Sequence, residues 1–367
     1  MHTDVFIIGG GPAGLAAGIA VRRKGFSVTL ADGAKPPIDK ACGEGMMPET
    51  VNALRALGVD LHASYGYRFR GLRFVQSGAQ VAADFPDGQG IGIRRTQLHA
   101  LLIASAEKCG VDLLWRTPVA GIGSDGVLVN SGKIKARWIV GADGGQSRVR
   151  RWAGLDSGAT TSRRMASRRH YRVRPWTDLM EIHWGQRVQA YVTPISTKEV
   201  CVATLGQTAN DADFDHALKV LPELREWLAN AELCSRERGA ITAVQALNRV
   251  WSKNVALVGD ASGGVDAITG EGLRLSFRQA QALADAIEAG DLRRYERSHR
   301  NLARRPVWMA KLMLQLARHD AMRSQVLRTL SRNPELFARF LAVHAGSASA
   351  QDVVTAGTQL AWQFLAN

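Results

Sequence analysis

The sequence has little cysteine and no long apolar run. Its four cysteines include no CxxC pair, which argues against a disulfide framework and against a zinc site. No uninterrupted apolar stretch reaches the roughly 18 residues of a membrane-spanning helix. The opening MHTDVFIIGG lacks the basic start and the cleavage site of a signal peptide. We therefore expect a cytoplasmic protein without a membrane span, and we predict no metal site.

Acidic residues are also in the minority. Lys plus Arg number 47 and Asp plus Glu number 33, so the net charge is +14. Such a positive field attracts anions such as a phosphorylated nicotinamide dinucleotide, an acidic carrier protein or an anionic membrane surface, although solubility alone also explains it. The arginines lack the interleaved aromatic residues and the recognisable module of nucleic-acid-binding proteins, so no nucleic-acid partner is expected.

The first thirty residues contain the clearest local motif. An apolar strand over residues 5–8 leads into Gly9-x-Gly11-x-x-Gly14, a helix follows, and a second strand ends at Asp32. In this pattern the first glycine permits a tight turn, the second admits a pyrophosphate and the third lets the helix lie close to the strand. Asp32 stands where a carboxylate accepts hydrogen bonds from a ribose. The motif predicts an adenine dinucleotide without separating FAD from NAD.

Two later segments repeat the change from a strand to a turn of small residues. Residues 138–140 lead into GADG at 141–144, and residues 255–258 lead into GDASGGVDAITGEG at 259–272, before a helix from about Glu271 to about Ala289. All three turns follow strands of a predicted parallel sheet. Ligands of such sheets bind at the carboxyl ends of the strands, so we expect the turns to converge on one ligand.

The three motifs, in this order and at this spacing, resemble the flavin motifs of the p-hydroxybenzoate hydroxylase superfamily. The stretches KACGEGMMP (40–48), GIRRTQLHALLIASAEKCGV (92–111) and DAITGEG are closer to its geranylgeranyl reductase branch. The resemblance covers roughly residues 1–300. It implies FAD as cofactor, with NADPH or NADH as electron donor. The chain departs from many hydroxylases of the superfamily in its third motif, where Ser262, Gly263 and Ala267 replace a histidine and a proline.

The resemblance also implies the residues that bind the cofactor. Arg95 matches an arginine that contacts the flavin nucleotide, and Asp260 matches the aspartate that binds the ribityl chain. The predicted cofactor-binding set is Gly9, Gly11, Pro12, Ala13, Gly14, Asp32, Gly33, Cys42, Gly43, Arg95, Asp143, Asp260, Gly270, Glu271, Gly272 and Leu273. No catalytic residue is identified.

The predicted fold class is α/β, or α+β overall, with a discontinuous arrangement of domains. Short alternating runs such as EVCVATL predict an antiparallel sheet. We expect a Rossmann-like FAD-binding domain with a mostly parallel sheet, an inserted substrate domain with an antiparallel sheet, and C-terminal helices. Their predicted ranges are 1–70, 92–158 and 253–292 for the first, 71–91 and 159–252 for the second, and 293–367 for the third.

The C-terminal region is basic and helical, and Pro306 is expected to end or kink one helix. An apolar stripe follows at helical spacing: Trp308, Met309, Leu312, Met313 and Leu316. The stripe is expected to pack on the flavin domain or to close the substrate cavity. Contact with a membrane surface is the alternative, because basic amphipathic helices favour anionic interfaces.

A few side chains outside the motifs could carry chemistry. Cys42 could approach the flavin or the substrate, and His170, His183 and Tyr191 could move protons. Ordinary packing is the simpler interpretation of each, and Glu44 is expected to be a solvated loop carboxylate.

The sequence favours a FAD-dependent oxidoreductase that binds an apolar small molecule. The first hypothesis is a NAD(P)H-dependent monooxygenase that hydroxylates an apolar or aromatic compound. The second is a reductase that saturates carbon–carbon double bonds of an isoprenoid-like or polyketide substrate. A non-catalytic flavin-binding redox protein is the alternative of another class.

Overall fold

In the computed structural model, the structure describes residues 2–62, 64–76, 78–156 and 158–347, together with Thr355 and Thr358. These residues form a mixed α/β fold of two large sheets, one small sheet and a group of C-terminal helices. The predicted fold class is confirmed. The remainder of the predicted C-terminal region, beyond residue 347 and apart from those two threonines, lies outside the described residues.

The strands of the described residues are β1 (His2–Ile8), β2 (Val28–Asp32), β3 (Gly45–Met46), β4 (Tyr67–Phe69), β5 (Gly71–Gln76), β6 (Ala79–Asp84), β7 (Gly90–Gly92), β8 (Asp112–Trp115), β9 (Val119–Gly123), β10 (Gly126–Val129), β11 (Gly132–Gly141), β12 (Thr160–Arg172), β13 (Leu179–Trp184), β14 (Val188–Ser196), β15 (Glu199–Gly206), β16 (Glu232–Leu233), β17 (Arg238–Gln245), β18 (Trp251–Ser252) and β19 (Val255–Leu257). The helices are α1 (Pro12–Arg23), α2 (Pro48–Ala56), α3 (Arg95–Lys108), α4 (Arg148–Trp152), α5 (Ala209–Ala212), α6 (Phe214–Val220), α7 (Pro222–Leu228), α8 (Gly272–Glu288), α9 (Leu292–Arg318), α10 (Asp320–Arg332) and α11 (Pro334–Ala345), with two short 3-10 turns at Gly259–Ser262 and Ala267–Thr269.

The first sheet has the strand order β18-β19-β11-β1-β2-β8, with the hairpin of β9 and β10 added at β11. Its central pairs are parallel, so the carboxyl ends of β1, β2, β11 and β19 lie at one rim. Side chains of β1 alternate between two apolar cores, as the strand period requires. Val5 and Ile7 pack with α1, α3 and α8, whereas Phe6 and Ile8 pack with β9, β10 and α4. Burial on both faces explains why β1 is a continuous apolar run.

The second sheet has the order β16-β12-β15-β14-β13-β5-β6, with β17 paired to β12. All of its pairs are antiparallel except the parallel pair of β13 and β5. β5 and β6 come from the early segment that the sequence assigned to the substrate domain. A small third sheet of β3, β4 and β7 was not expected; β3 follows directly after the Cys42–Glu44 loop.

The C-terminal helices α9, α10 and α11 pack against the second sheet. Of the two effects expected at Pro306, the end of a helix is wrong, because α9 continues through it to Arg318, and the kink stays a prediction. Proline removes one backbone hydrogen bond, but Pro306, Met309 and Met313 are buried on the packed face of α9. That packing keeps the chain helical. Among the described residues, no helix is both long and apolar enough to cross a membrane.

Candidate functional site

The glycine-rich loop after β1 has two glycines required by packing and one that leaves space. A side chain at Gly9 would overlap the carbonyl of Ala142, and one at Gly14 would overlap the carbonyl of Gly9. A Cβ at Gly11 meets no protein atom within 4 Å. Gly11 therefore opens onto a cradle that the protein itself does not fill, as the predicted pyrophosphate contact requires.

The N-terminus of α1 faces this cradle. Gly11 precedes the helix and supplies no capping side chain, and Pro12 occupies the first helical position. Pro12 has no N–H, so the free donors of the first turn are the N–H groups of Ala13 and Gly14. Unpaired N–H groups at a helix start favour a phosphate.

Asp32 lies at the end of β2 and holds the glycine loop in place. Its Oδ2 accepts the N–H of Gly10 at 2.6 Å, and its Oδ1 accepts the N–H of Ala34 at 2.7 Å. Each carboxylate oxygen has a further acceptor site, so the predicted ribose contact remains compatible with the loop. Gly33 follows beside Pro118.

His99 is a residue of this site that the sequence analysis missed. It is fully buried on α3, its Nε2 lies 2.7 Å from the carbonyl of Gly10, and its Nδ1 accepts the N–H of Ile38 at 3.2 Å. Burial lowers the pKa of His99, which favours the neutral ring with the proton on Nε2. No local sequence pattern could predict the contact of His99 with Gly10, because the two residues are 89 positions apart in the chain.

The second loop, at the end of β11, lies beside the first. Asp143 accepts hydrogen bonds from the Ser147 hydroxyl at 2.5 Å and from the N–H groups of Arg148 and Val149 at 2.7 and 3.1 Å. These bonds begin α4. The Asp143 carboxylate thus caps the N-terminus of α4. Its predicted contact with the cofactor stays a prediction.

The third loop brings Asp260 to the same rim. Its carboxylate is half exposed and pairs with Lys40 Nζ at 3.2 Å. The N–H of Gly259, just before it, donates to Gln279 Oε1 at 2.8 Å, which ties the loop to α8. The position of Asp260 leaves the carboxylate accessible to a hydroxylated ligand.

The loop ends where α8 begins. Gly270 has a φ of +68°, and α8 has no side-chain cap. A Cβ at Gly272 would meet open space, so the backbone of this turn can face a ligand. The Glu271 carboxylate is buried and paired with Arg274; only its backbone is therefore available to a cofactor. The side chain of Leu273 packs against the first core.

Arg95 shows an unmet bonding requirement. It is the first residue of α3, and its backbone N–H donates to Glu44 Oε1 at 2.9 Å. Its side-chain Nε is buried without a hydrogen-bond partner among the described residues. A buried cationic donor without an acceptor is costly. Together with the open space at Gly11, this donor fits a nucleotide bound across the loops.

The loop of Cys42 and Gly43 lies between this rim and the second sheet. The Gly43 carbonyl accepts the Thr193 hydroxyl at 2.7 Å, and Cys42 Sγ accepts the N–H of Glu44 at 3.4 Å. Cys42 itself is half buried. The loop is thus anchored to β14, which places both predicted residues near Arg95.

Glu44 is not the solvated carboxylate that the sequence suggested. It is 3% exposed, with a φ of +57°, and its Oε2 lies 2.7 Å from Nε2 of His170. Nδ1 of His170 lies 2.9 Å from the Ser235 hydroxyl and 2.8 Å from a guanidinium nitrogen of Arg168. These side chains line a polar pocket of about 200 Å³. The contact between Glu44 and His170 joins residues 126 positions apart in the chain, so no local motif could reveal it.

Cys201 completes a group of three metal-ligating residue types. One ligand atom from each of Glu44, His170 and Cys201 lies within 4.8 Å of the others. Burial raises the pKa of Cys201 well above its ordinary value, which keeps the thiol protonated. The Arg168 guanidinium also lies against His170. A cation beside the histidine and a protonated thiol do not suit a metal ion.

The other two candidates for proton transfer lie on opposite faces of the second sheet. His183 pairs with Glu181 at 3.0 Å in the sheet interior; although burial opposes the shift, the hydrogen bonds from His183 and Trp176 keep the pKa of Glu181 below its ordinary value. Tyr191 donates its hydroxyl to the Ile268 carbonyl at 2.8 Å, and burial raises its pKa. Both side chains are committed to partners within the protein.

A cavity of about 580 Å³ lies between the second sheet, the Ile268–Gly270 turn and helices α9 to α11. Among the residues that the structure describes, its lining contains no Asp, Glu, Lys or Arg. Burial lowers the pKa of His344, one of its few polar residues, which favours the neutral ring. Gly270 and Gly45 lie in its wall, so the cavity reaches the predicted cofactor loops. Its methionine and phenylalanine side chains are Met47, Met180, Met309, Met313, Met322, Phe74, Phe337 and Phe340.

The chain is similar to known flavoproteins along most of its length. Residues 2–290 match the family described as FAD binding domain. Menaquinone reductase of Mycobacterium tuberculosis is 27% identical over 317 residues, covering 79% of this chain and 78% of that protein. Digeranylgeranylglycerophospholipid reductase 1 of Methanothermobacter thermautotrophicus is 26% identical over 321 residues, covering 79% of each.

A solved structure supports the same fold. The geranylgeranyl bacteriochlorophyll reductase-like protein of Thermoplasma acidophilum superposes with a TM-score of 0.79 at 19% identity, covering 97% of this chain and 95% of that one. Identity this low carries the fold alone. The superposition includes both the sheet that bears the three loops and the region that encloses the apolar cavity.

Proposed function

Since this chain belongs to the FAD binding domain family, it is a FAD-dependent oxidoreductase, and we propose that it saturates carbon–carbon double bonds of an isoprenoid-like substrate. The observation that carries the proposal is the apolar cavity that ends at Gly270, beside the cofactor loops. A chain of alkene and methyl groups suits walls of methionine, leucine and phenylalanine, because its burial releases water from apolar surface.

The relatives support this choice of substrate class. Their names are menaquinone reductase and digeranylgeranylglycerophospholipid reductase, and both describe reductases. We propose that this chain shares the reductive chemistry. We rank it above hydroxylation, the first hypothesis from the sequence, because the cavity has few polar groups that could orient the hydroxyl of an aromatic substrate.

The loops of the first sheet would hold FAD. Gly11 and the start of α1 would take the pyrophosphate, Asp32 a ribose, and Asp260 the ribityl chain. The Gly270–Gly272 backbone would adjoin the ring. Once reduced by its electron donor, bound FAD would supply a hydride for one alkene carbon, and a proton would have to reach the other.

We propose that Glu44 and His170 hold that proton. The two side chains share a short contact at 2.7 Å, and Gly45, the next residue, lines the apolar cavity. His170 and Ser235 lead to the polar pocket, through which solvent could return a proton after each turnover. In this proposal the pair, which lines the polar pocket, would pass the proton toward the cavity wall at Gly45.

The electrons come from NADPH or NADH in this proposal. The net charge of +14 favours an anionic donor. The other GxGxxG spacing in the sequence, at Gly121, Gly123 and Gly126, lies in the hairpin of β9 and β10 and opens no helix, so the donor would bind transiently near the flavin. Comparing flavin reduction rates by the two nucleotides identifies the donor.

The proposed function is tested by product mass. FAD-loaded protein, NADPH and a geranylgeranyl lipid are incubated with and without oxygen, and products are analysed by mass spectrometry. The proposal predicts a gain of two hydrogen atoms per double bond in both atmospheres. A product that gains an oxygen atom, and forms only in air, would establish the monooxygenase instead.

A further inference from the structure

The outer face of α9 carries exposed apolar side chains that the fold does not cover. Trp308 is 45% exposed, Leu312 39% and Val307 36%. They are among the few large apolar residues exposed in the described part of the chain, and they lie within six consecutive residues. We infer that this face of α9 docks the protein on an anionic lipid surface and opens the apolar cavity toward it.

Charge on the same helix points to an anionic partner. No Asp or Glu occurs between Glu296 and Asp320. Arg304, Lys311 and Arg318 are exposed, and none of them forms an ion pair within the residues that the structure describes. Unpaired cations beside exposed apolar side chains are typical of helices that lie in a membrane interface.

The cavity reaches the surface at this face. Leu312 and Gln315 are exposed and also line the cavity. Met309 and Met313, on the inner side of the same helix turns, are buried in its wall. An apolar chain could therefore pass from a lipid layer into the cavity beside Leu312 without crossing water. This last step rests on the proposed function; the docking itself does not.

An acidic carrier protein would form ion pairs with the exposed basic residues of α9 equally well. It would not explain why the exposed apolar side chains coincide with the mouth of an apolar cavity. A lipid layer accounts for both, because it offers anionic headgroups at its surface and a hydrocarbon interior below. The observations therefore favour the lipid surface.

The docking is tested by flotation of the FAD-loaded protein with phosphatidylcholine vesicles, with and without phosphatidylglycerol. We expect binding to the anionic vesicles alone. Lys311→Glu should weaken it about tenfold or more, because each basic residue near an anionic membrane changes affinity severalfold. Trp308→Ser combined with Leu312→Ser should weaken it similarly. Trp227→Ser changes an exposed tryptophan on α7 and should leave binding unchanged.

The outcomes separate docking from the proposed function. Wild-type protein that ignores anionic vesicles, or α9 variants that bind like wild type, would overturn the inference. Binding to an acidic carrier protein in place of vesicles would also overturn it. With vesicle-embedded substrate, Lys311→Glu should lose activity, while the same variant still reduces a short detergent-dispersed substrate. If neither substrate is reduced but the vesicle binding behaves as expected, the docking stands and the proposed reaction fails.

Discussion

The two halves of the site recognise their ligands by different means. At the rim of the first sheet, glycine backbone at Gly11 and Gly272 borders open space, and the carboxylates of Asp32 and Asp260 lie beside these loops. Across the Gly270 turn, the second half is a cavity walled by side chains from β5, β13, β14 and the C-terminal helices. The first half suits one polar nucleotide, whereas the second suits a class of apolar chains. The comparison indicates that the backbone of the loops selects the cofactor, whereas the volume of the apolar cavity selects the substrate.

The strongest way to break this comparison is to fill the backbone cradle. Gly11→Val places a side chain in space that no protein atom occupies, so folding should be preserved while the pyrophosphate is excluded. We expect FAD affinity to fall by at least about 1,000-fold, or roughly 4 kcal/mol. Flavin absorbance after gel filtration measures it. Gly18→Ala, in helix α1, is the control. Its Cβ would make only ordinary contacts, with Val111 at 3.5 Å.

The second test removes the carboxyl group of Glu44, which we propose holds the proton for the reaction. Glu44→Gln keeps the shape of the side chain, and we expect kcat to fall about 100-fold, as for loss of a general acid. FAD content and KM should change little. Glu181→Gln, which alters the other buried Glu–His pair of the sheet, is the matched control. Equal losses in the two variants would show that Glu44 has only a structural role.

The third test concerns His299, a histidine of α9 that contacts the third cofactor loop at Ser262. His299 is half-buried on α9, its Nε2 lies 2.9 Å from the Ser262 hydroxyl, and this burial lowers its pKa to about 4. Its folded pKa is below the unfolded value of about 6.5, so its contribution to stability is present above pH 6.5 and is lost as the pH falls toward 4. Urea unfolding should show about 2 kcal/mol of this loss between pH 7 and pH 5.

His299→Gln isolates that contribution. The variant should show a decrease in unfolding free energy between pH 7 and pH 5 that is smaller by the same amount. His99 and His344 also have lowered pKa values and remain in the variant, so some pH dependence persists. A pH dependence identical to that of wild type would contradict the assignment.

The smallest effect is expected for Asp260, the acid predicted to bind the ribityl chain. Asp260→Ala removes one half-exposed acceptor, and loss of one charge-assisted hydrogen bond corresponds to about tenfold in FAD affinity. Isothermal titration of the apoprotein with FAD measures the change. Asp291→Ala, an acid that pairs with Arg293 at the start of α9, is the control. Unchanged FAD affinity in Asp260→Ala would remove Asp260 from the site.

The sequence predicted the first half of the site far better than the second. Gly9, Gly11, Gly14 and Asp32 lie within one strand–turn–helix–strand segment, so their spacing reports their geometry. The bond of His99 to Gly10 and the pair of Glu44 and His170 join residues that are 89 and 126 positions apart. Such contacts arise only when sheets pack, and no local pattern encodes them.

The helices show the same limit. The predicted ends of α8, at about Glu271 and about Ala289, agree closely with the structure, because glycines lie beside both ends. The helix end expected at Pro306 does not occur, because burial of the packed face of α9 outweighs the local effect of proline. The small third sheet, made of segments two or three residues long, was too short to produce a pattern.

The most direct test of the account is a single turnover without oxygen. FAD-loaded protein is reduced with one equivalent of dithionite and mixed anaerobically with a geranylgeranyl lipid, and flavin absorbance is followed by stopped flow. The account predicts that the flavin is reoxidised only when the alkene is present, and that the product gains two hydrogen atoms. A flavin that stays reduced until oxygen is admitted would contradict it.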